Sequence, residues 1–252
     1  MKTSSCKMSF LVLTFFFGLF CSKLFAGSLS MYYNDDYGSS ITCPGYLTID
    51  SYNTLYTYDD EMAEHGHDIN YTLHNPSFYH NIVTDPDLVS YGLDYYFAEI
   101  DDFVFVTGHG TKCTDDYGVK QSCLRVINSF NGMDGQNTCK IYPRLEMVLG
   151  ENEGDDIEFL HLTNCNSMSG DDNRWSNTWR PVFHGIHEIL GFHGLGAEGS
   201  SLIDLFKNFA HDAQSSPVAM EWVDNLWYDD YWAELECNED ETVCMWVYQD
   251  LC

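Results

Sequence analysis

The sequence predicts an α/β protein whose central sheet is mostly parallel and carries helices on both faces, as a three-layer αβα sandwich. Three continuous apolar runs support this prediction: "DDFVFVTGHG" at 101–110, "IEFLHLTNC" at 157–165 and "GIHEILGFHG" at 185–194. Strands that are apolar on both sides are covered on both sides, which is typical of parallel sheets. The segment 166–184 can supply a helix between the second and third runs, and such alternation indicates an α/β sheet.

The N-terminal segment is expected to be cleaved from the mature protein. Lysines precede an apolar run at 10–20, and small residues follow it, which predicts a secretory signal peptide over residues 1–26 with cleavage near Ala26 or Gly27. The alternative is a membrane anchor, but the run is short for a bilayer span of about 20 residues. We therefore expect residues 27–252 to form one secreted or periplasmic domain with no membrane insertion.

The chain is strongly acidic, with 39 acidic and 11 basic residues and a formal net charge of -28. Three of the basic residues lie in the predicted signal peptide, so the mature chain is more acidic still. Phosphate backbones and anionic membrane surfaces would be repelled, which excludes nucleic acid as an expected partner. The acidity fits a soluble, self-repelling protein, or one that attracts basic substrates.

Eight cysteines remain after the signal peptide, and export makes disulfides the default state for them. One of them, Cys165, differs because it ends an apolar run. Six others form two clusters in the sequence, and the sequence does not determine which cysteines are joined by disulfides. The clusters are Cys113, Cys123 and Cys139, and Cys237, Cys244 and Cys252.

The remaining segments are predicted from turn residues and caps. Residues 28–60 are interpreted as turns with short edge strands, followed by a short helix in "TYDDEMAEHGHDI" that ends at Gly66. The long separation between the first two runs predicts an inserted hairpin or disulfide-pinned loop at about 111–145. A helix is predicted after Pro217, with apolar residues four apart on one face. The acidic, Trp-rich C-terminal extension is expected to pack over the core.

A candidate site lies at the ends of the first two runs, where His109 and Cys165 follow predicted strands. Ligands of open α/β sheets bind beyond the carboxyl ends of strands, and neighbouring tips lie about 5 Å apart. An imidazole can take the thiol proton and return it to a leaving amine. The N–H groups of Gly110 and Cys165 are candidate donors to the oxyanion. The sequence thus predicts a catalytic Cys-His dyad for acyl transfer.

Four further residues are candidates for the surroundings of this dyad: Gly108, Trp175, Trp179 and His193. Glycine beside the histidine permits close substrate approach. The two tryptophans are expected to pack in the core or a pocket wall, with substrate contact as the alternative. His193 ends the third run, as a second imidazole at the site or as a packing residue.

Zinc is a further alternative, since His184 and His187 could join His109 or His193 as ligands. That spacing is generic, and no metal or other cofactor is expected for the dyad. His65-Gly66-His67 is interpreted as a turn and not as a ligand pair.

The two blocks "FVFVTGHG" and "FLHLTNC" resemble the signature of the caspase-like cysteine peptidases, which include caspases, legumain, gingipain, clostripain and separase. The chain is also similar to a bacterial and archaeal family of this fold whose substrates are unassigned. That second resemblance adds "RWSNTWRPVFHGIHEILGF" and "PVAMEWVDNLW" and covers roughly residues 90–230.

The resemblance implies a caspase-like fold, with His109 as general base, Cys165 as nucleophile and Gly110 in the oxyanion hole. The sequence before the cysteine, "LTN", departs from the caspase pattern. We therefore expect a secreted Cys-His hydrolase, a cysteine peptidase with a peptide or protein substrate. The alternative is a secreted binding or interaction protein that kept the fold and lost turnover.

Overall fold

A computed structural model describes residues 27–35, 52–126, 139–151, 156–192, 200–216, 218–226, 232–237 and 244–248. The predicted signal peptide lies outside these residues. Within the described ranges, no helix has the length and apolar character needed to cross a bilayer.

Ten strands are described, and they form two sheets. Seven belong to a large sheet in the order β10-β9-β8-β7-β3-β1-β2, and β4, β5 and β6 form a small antiparallel sheet. The strands are β1 (Ser28–Tyr33), β2 (Asp68–His74), β3 (Phe103–Thr107), β4 (Gly110–Thr114), β5 (Lys120–Arg125), β6 (Lys140–Ile141), β7 (Phe159–Leu162), β8 (Glu188–Phe192), β9 (Trp232–Cys237) and β10 (Cys244–Tyr248). Strands β8, β7, β3, β1 and β2 run parallel, which confirms a mostly parallel sheet.

The helices of the described residues connect these strands. They are α1 (Tyr52–Glu64), α2 (Pro143–Glu146), α3 (Arg174–Trp179), α4 (Ser200–Asp212) and α5 (Val218–Leu226). The helix predicted after Pro217 is thus confirmed as α5, and the one predicted before Gly66 as α1. Gly66 has a φ of +91°, a left-handed conformation that suits glycine after a helix.

Each central strand is buried on both faces, as its composition requires. Phe103 and Phe105 point into one core, whereas Val104 and Val106 point into the other. The first core is closed by apolar residues of α1, α4 and α5. The second core is closed by α3, by strands β5 and β6 and by the loops at 78–98 and 147–149. The sheet therefore separates two apolar layers.

The prediction for residues 28–60 was wrong in part, because β1 is an interior strand between β3 and β2. Its two serines made the segment resemble a turn. In the structure Ser30 is fully buried and donates its hydroxyl to the Asp101 carboxylate, which satisfies the polar group inside the sheet. Helix α1 also begins earlier than expected, at Tyr52.

The described part of the C-terminal extension consists of two strands. It adds β9 and β10 to the large sheet, where β9 lies antiparallel to β8. The sequence "WAELEC" alternates apolar and acidic residues, a period-two pattern typical of a strand. Cys237 and Cys244 are register partners in this hairpin.

The insertion after β3 contains a hairpin, β4 and β5, that a disulfide between Cys113 and Cys123 joins. Cys139 is disulfide-bonded as well. The disulfide between Cys113 and Cys123 links the two strands of the hairpin. It stabilises the fold mainly because it lowers the conformational entropy of the unfolded chain.

His161, in the middle of β7, is a buried imidazole that the sequence did not mark. Its Nδ1 lies 3.3 Å from the Tyr58 hydroxyl, and the rings of Phe105, Phe209 and Trp222 surround it. Among the described residues its Nε2 has no hydrogen-bond partner. Burial lowers the pKa of His161 to about 3, so the imidazole is neutral in the folded protein.

His161 should therefore make stability fall with acid. Between the folded pKa of about 3 and the ordinary value of about 6.5, His161 is protonated in the unfolded chain but neutral in the folded protein. The free energy of unfolding therefore falls by up to about 1.4 kcal/mol for each pH unit of acidification in this range. In His161→Gln the free energy of unfolding should decline less between pH 6.5 and 4, as measured by urea unfolding. Tyr58→Phe keeps the buried imidazole and should keep the wild-type slope. Equal slopes in His161→Gln and wild type would contradict this account.

Candidate functional site

His109 and Cys165 follow two neighbouring parallel strands at the same distance from the last paired residues. The last paired residues of strands β3 and β7 are Val106 and Leu162. His109 lies three residues after Val106, and Cys165 lies three residues after Leu162. The Thr163 N–H donates to the Val106 carbonyl at 3.1 Å, so the pairing extends toward the tips. The structure therefore brings the two sequence-predicted residues to one edge of the sheet.

The segment Gly108-His109-Gly110 is a corner between the two sheets. β3 ends at Thr107 and β4 begins at Gly110, so the chain changes sheets within two residues. Gly108 has a φ of +151°, which side chains rarely adopt. His109 is thereby held at the corner, partly buried, with its carbonyl accepting the Arg125 N–H at 2.8 Å.

Gly110 lies directly against the backbone of Cys165. A Cβ built on Gly110 would sit 2.0 Å from the Cys165 carbonyl oxygen and 3.0 Å from the Asn164 Cβ. Gly110 faces Leu124 in the hairpin. The neighbouring residues, His109 and Arg125, are hydrogen-bonded to each other, and the two types of pair alternate along an antiparallel ladder. Gly110 and Leu124 are therefore a non-hydrogen-bonded pair. The Gly110 N–H therefore points away from β5.

The turn after β7 carries Cys165, which is a thiol and not half of a disulfide, and which is partly buried. Asn166 has a φ of +56°, and its carbonyl accepts the Ser122 hydroxyl of β5 at 2.6 Å. The Trp179 indole N–H donates to the Ser167 carbonyl at 2.7 Å. Bonds from the hairpin on one side and α3 on the other thus fix this turn.

Strand β8, which lies beside β7 on the side opposite β3, also binds the turn that carries Cys165. The Phe192 N–H donates to the Ser167 hydroxyl at 3.0 Å, and the Met168 N–H donates to the Phe192 carbonyl at 3.0 Å. A Cβ on Gly191 would lie 2.6 Å from the Ser167 hydroxyl oxygen, so this close approach requires glycine. The turn that carries Cys165 is therefore tied to three separate elements.

Asn164 is a site residue that the sequence analysis missed. Its side chain is 1% exposed, and its Nδ2 donates to the His109 carbonyl at 3.4 Å. Its Oδ1 is buried and has no hydrogen-bond partner in the described part of the chain. Asn164 thus connects the two tips beside Gly110. The only sequence signal was an amide next to the cysteine.

The hairpin also concentrates the few basic residues of this acidic protein near the tips. Arg174 donates to the carbonyls of Cys113 and Gln121, which anchors the hairpin to the start of α3. Arg125 lies opposite Lys140 in the small sheet. Burial and the neighbouring Arg125 charge lower the pKa of Lys140. Arg125 and Lys140 thus lie on neighbouring strands of the small sheet.

The other predicted residues have different positions. Trp179 has no exposed surface and is a core residue, and Trp175 is partly buried against the same core. His193 lies outside the described residues. His184 is exposed, and His187 pairs through Nδ1 with Glu158.

Two groups among the described residues could hold a metal ion, and neither contains His109, His184 or His187. The first consists of Glu61, His65 and His211, and the second of Asp85, Asp87 and Glu151. Among the described residues, His109, His184 and His187 do not form a group that could hold zinc, and the version of this alternative that includes His193 lies outside them. His67 points elsewhere than His65 and is bonded to Gly27 and Gln214, so these two histidines are not a ligand pair.

Gly110→Ala should damage the site. The new Cβ would overlap the Cys165 carbonyl, so one tip must move, at a cost of about 1–3 kcal/mol in the free energy of unfolding. Iodoacetamide alkylation of Cys165 in the folded variant should also change, as followed by mass spectrometry. Gly118→Ala is the matched control in the same hairpin, because a Cβ there meets nothing within 4 Å and adds only backbone strain at a φ of +80°. An unchanged alkylation rate in Gly110→Ala would count against the contact.

Comparison with known proteins gives a family but no activity. No curated protein matches the chain. A family model described as a domain of unknown function, DUF6345, matches residues 45–245. The matched segment includes both strand tips, the hairpin and the turn that carries Cys165. The chain therefore belongs to the DUF6345 family.

Proposed function

We propose that this protein is a secreted Cys-His hydrolase, a cysteine endopeptidase with a caspase-like fold. One observation carries the proposal: Gly110 lies against the backbone of Cys165, where only a glycine fits. His109 precedes that glycine, so the imidazole and the thiol belong to two chain segments in direct contact.

In the proposed reaction His109 takes the proton of the Cys165 thiol, and the thiolate attacks the carbonyl carbon of a peptide bond. The N–H groups of Gly110 and Cys165 are the proposed donors to the oxyanion. The C–N bond then breaks, His109 gives the proton to the leaving amine, and a thioester remains. Water, activated by His109, hydrolyses the thioester and restores the thiol.

The architecture supports the caspase-like assignment. The sheet is mostly parallel, it has an apolar layer on each face, and the candidate residues follow adjacent strands at its carboxyl edge. The turn that carries Cys165 is fixed by bonds from β5, β8 and α3. Such fixation suits a nucleophile, because preorganised groups need no rearrangement during the reaction.

Two features support export. A disulfide between Cys113 and Cys123 fits an oxidising compartment, as the predicted signal peptide does.

The proposal can be tested by covalent trapping on the purified mature protein. We would incubate it with Arg-, Asn- and Asp-directed acyloxymethylketones and locate the modified residue by mass spectrometry. We expect Cys165 to be labelled by one probe, and labelling to fall at least tenfold in His109→Ala, because a thiol without its base is mostly protonated at neutral pH.

His187→Ala is the matched control, since it removes an exposed imidazole far from both tips and should leave labelling unchanged. If Cys165 stays unlabelled by all probes while the protein is folded and its thiol titrates, the peptidase proposal fails. The binding-protein alternative would then be favoured.

A further inference from the structure

We propose that α1 and α4 carry a site for a divalent transition metal, with zinc as the best match. Its ligands are Glu61 Oε1, His65 Nε2 and His211 Nδ1, which converge where the ends of the two helices meet. The site does not involve Cys165 or His109, so it stands independently of the proposed peptidase activity.

The three ligand atoms already have the spacing that one metal ion requires. His65 Nε2 lies 3.2 Å from His211 Nδ1 and 3.2 Å from Glu61 Oε1. His211 Nδ1 lies 2.8 Å from the same carboxylate oxygen. Zinc bonds of 2.0–2.1 Å at tetrahedral angles place neighbouring ligand atoms about 3.3 Å apart. One ion therefore fits between these atoms with small side-chain shifts.

The chemistry of the set is that of zinc rather than of calcium or magnesium. Two imidazole nitrogens and one carboxylate oxygen suit zinc and its neighbours, whereas hard cations prefer oxygen alone. The side chain of Glu61 is 6% exposed, that of His65 32% and that of His211 61%. The fourth coordination position thus faces solvent and would hold water.

The helices hold the ligands in place. Glu61 and His65 are four residues apart, so they share one face at the end of α1. Tyr58 of α1 stacks on Phe209 of α4, with ring centroids 6.1 Å apart, one turn away from the ligands. Gln214 contacts both Met62 and His67 beyond the end of α4. The donor positions are therefore set by packing of the two helices.

The local charges are suited to a cation. Glu61 Oε1 is the one acidic ligand atom, and both imidazoles lie within hydrogen-bonding distance of it, through His65 Nε2 and His211 Nδ1. Lys207 pairs with the other carboxylate oxygen, at 3.6 Å, which leaves Oε1 to the metal. Two imidazoles directed at one carboxylate oxygen, and at each other, are a crowded arrangement that a metal ion would relieve.

The site is separate from the sheet edge that carries Cys165. Helix α1 connects the parallel strands β1 and β2, so its end lies at the amino edge of the sheet, opposite Cys165. His65 comes three residues before β2, and His211 is in the last turn of α4. A metal there would join two helices whose ligands are 146 residues apart in sequence.

The test is metal binding by the mature protein after treatment with a chelator. We expect one equivalent of Zn²⁺ to bind in calorimetry, and the melting temperature to rise by about 5–10 °C at a hundredfold excess over the dissociation constant. Co²⁺ should give ligand-field bands without a thiolate charge-transfer band, because no cysteine is a ligand. His65→Gln and His211→Gln should each lower affinity at least tenfold.

His187→Gln is the matched control and should bind zinc as the wild type does. The proposal would be overturned if wild type showed no saturable one-equivalent binding, or if His65→Gln and His211→Gln bound zinc with unchanged affinity. A thiolate band on Co²⁺ binding would also overturn it, because a cysteine would then be a ligand. None of these readouts depends on peptidase activity.

Discussion

The structure depends on the close approach of two strand tips, which is possible because residue 110 has no side chain. Any Cβ at Gly110 would overlap the Cys165 carbonyl. This contact fixes how the small sheet joins the large one, because Gly110 is also the first residue of β4. It also determines that the histidine before it and the cysteine opposite it share one edge. The junction of the sheets and the candidate site are thus one feature.

The rest of the fold makes that contact rigid. Phenylalanines on one side of β3 and valines on the other bury both faces, so a one-residue register shift would exchange large and small side chains between two packed layers. The turn that carries Cys165 is bonded to β5, β8 and α3. The hairpin is closed by its disulfide and anchored by Arg174. Long-range packing therefore maintains a geometry that the local chain would not keep.

Much of this could be predicted from sequence where the signal is local. The continuous apolar runs predicted β3, β7 and β8, and the Gly-His-Gly segment predicted where β3 ends. The interior strand β1 was missed because its two serines resemble a turn, and Asp101, which satisfies the Ser30 hydroxyl, is 71 residues away. Asn164 was missed for a similar reason, since its role depends on the His109 carbonyl. His65 was interpreted as part of a turn, and its partner His211 became visible only once α1 and α4 were packed.

The most direct test of the central claim is the pH dependence of iodoacetamide alkylation of Cys165 in wild type and His109→Ala. The account predicts a wild-type rate that stays high below neutral pH, because the imidazole holds the thiol as a thiolate. In His109→Ala the rate should follow an ordinary thiol, with a midpoint near pH 8.5. Superimposable profiles would contradict the account, since His109 would then have no influence on the thiol.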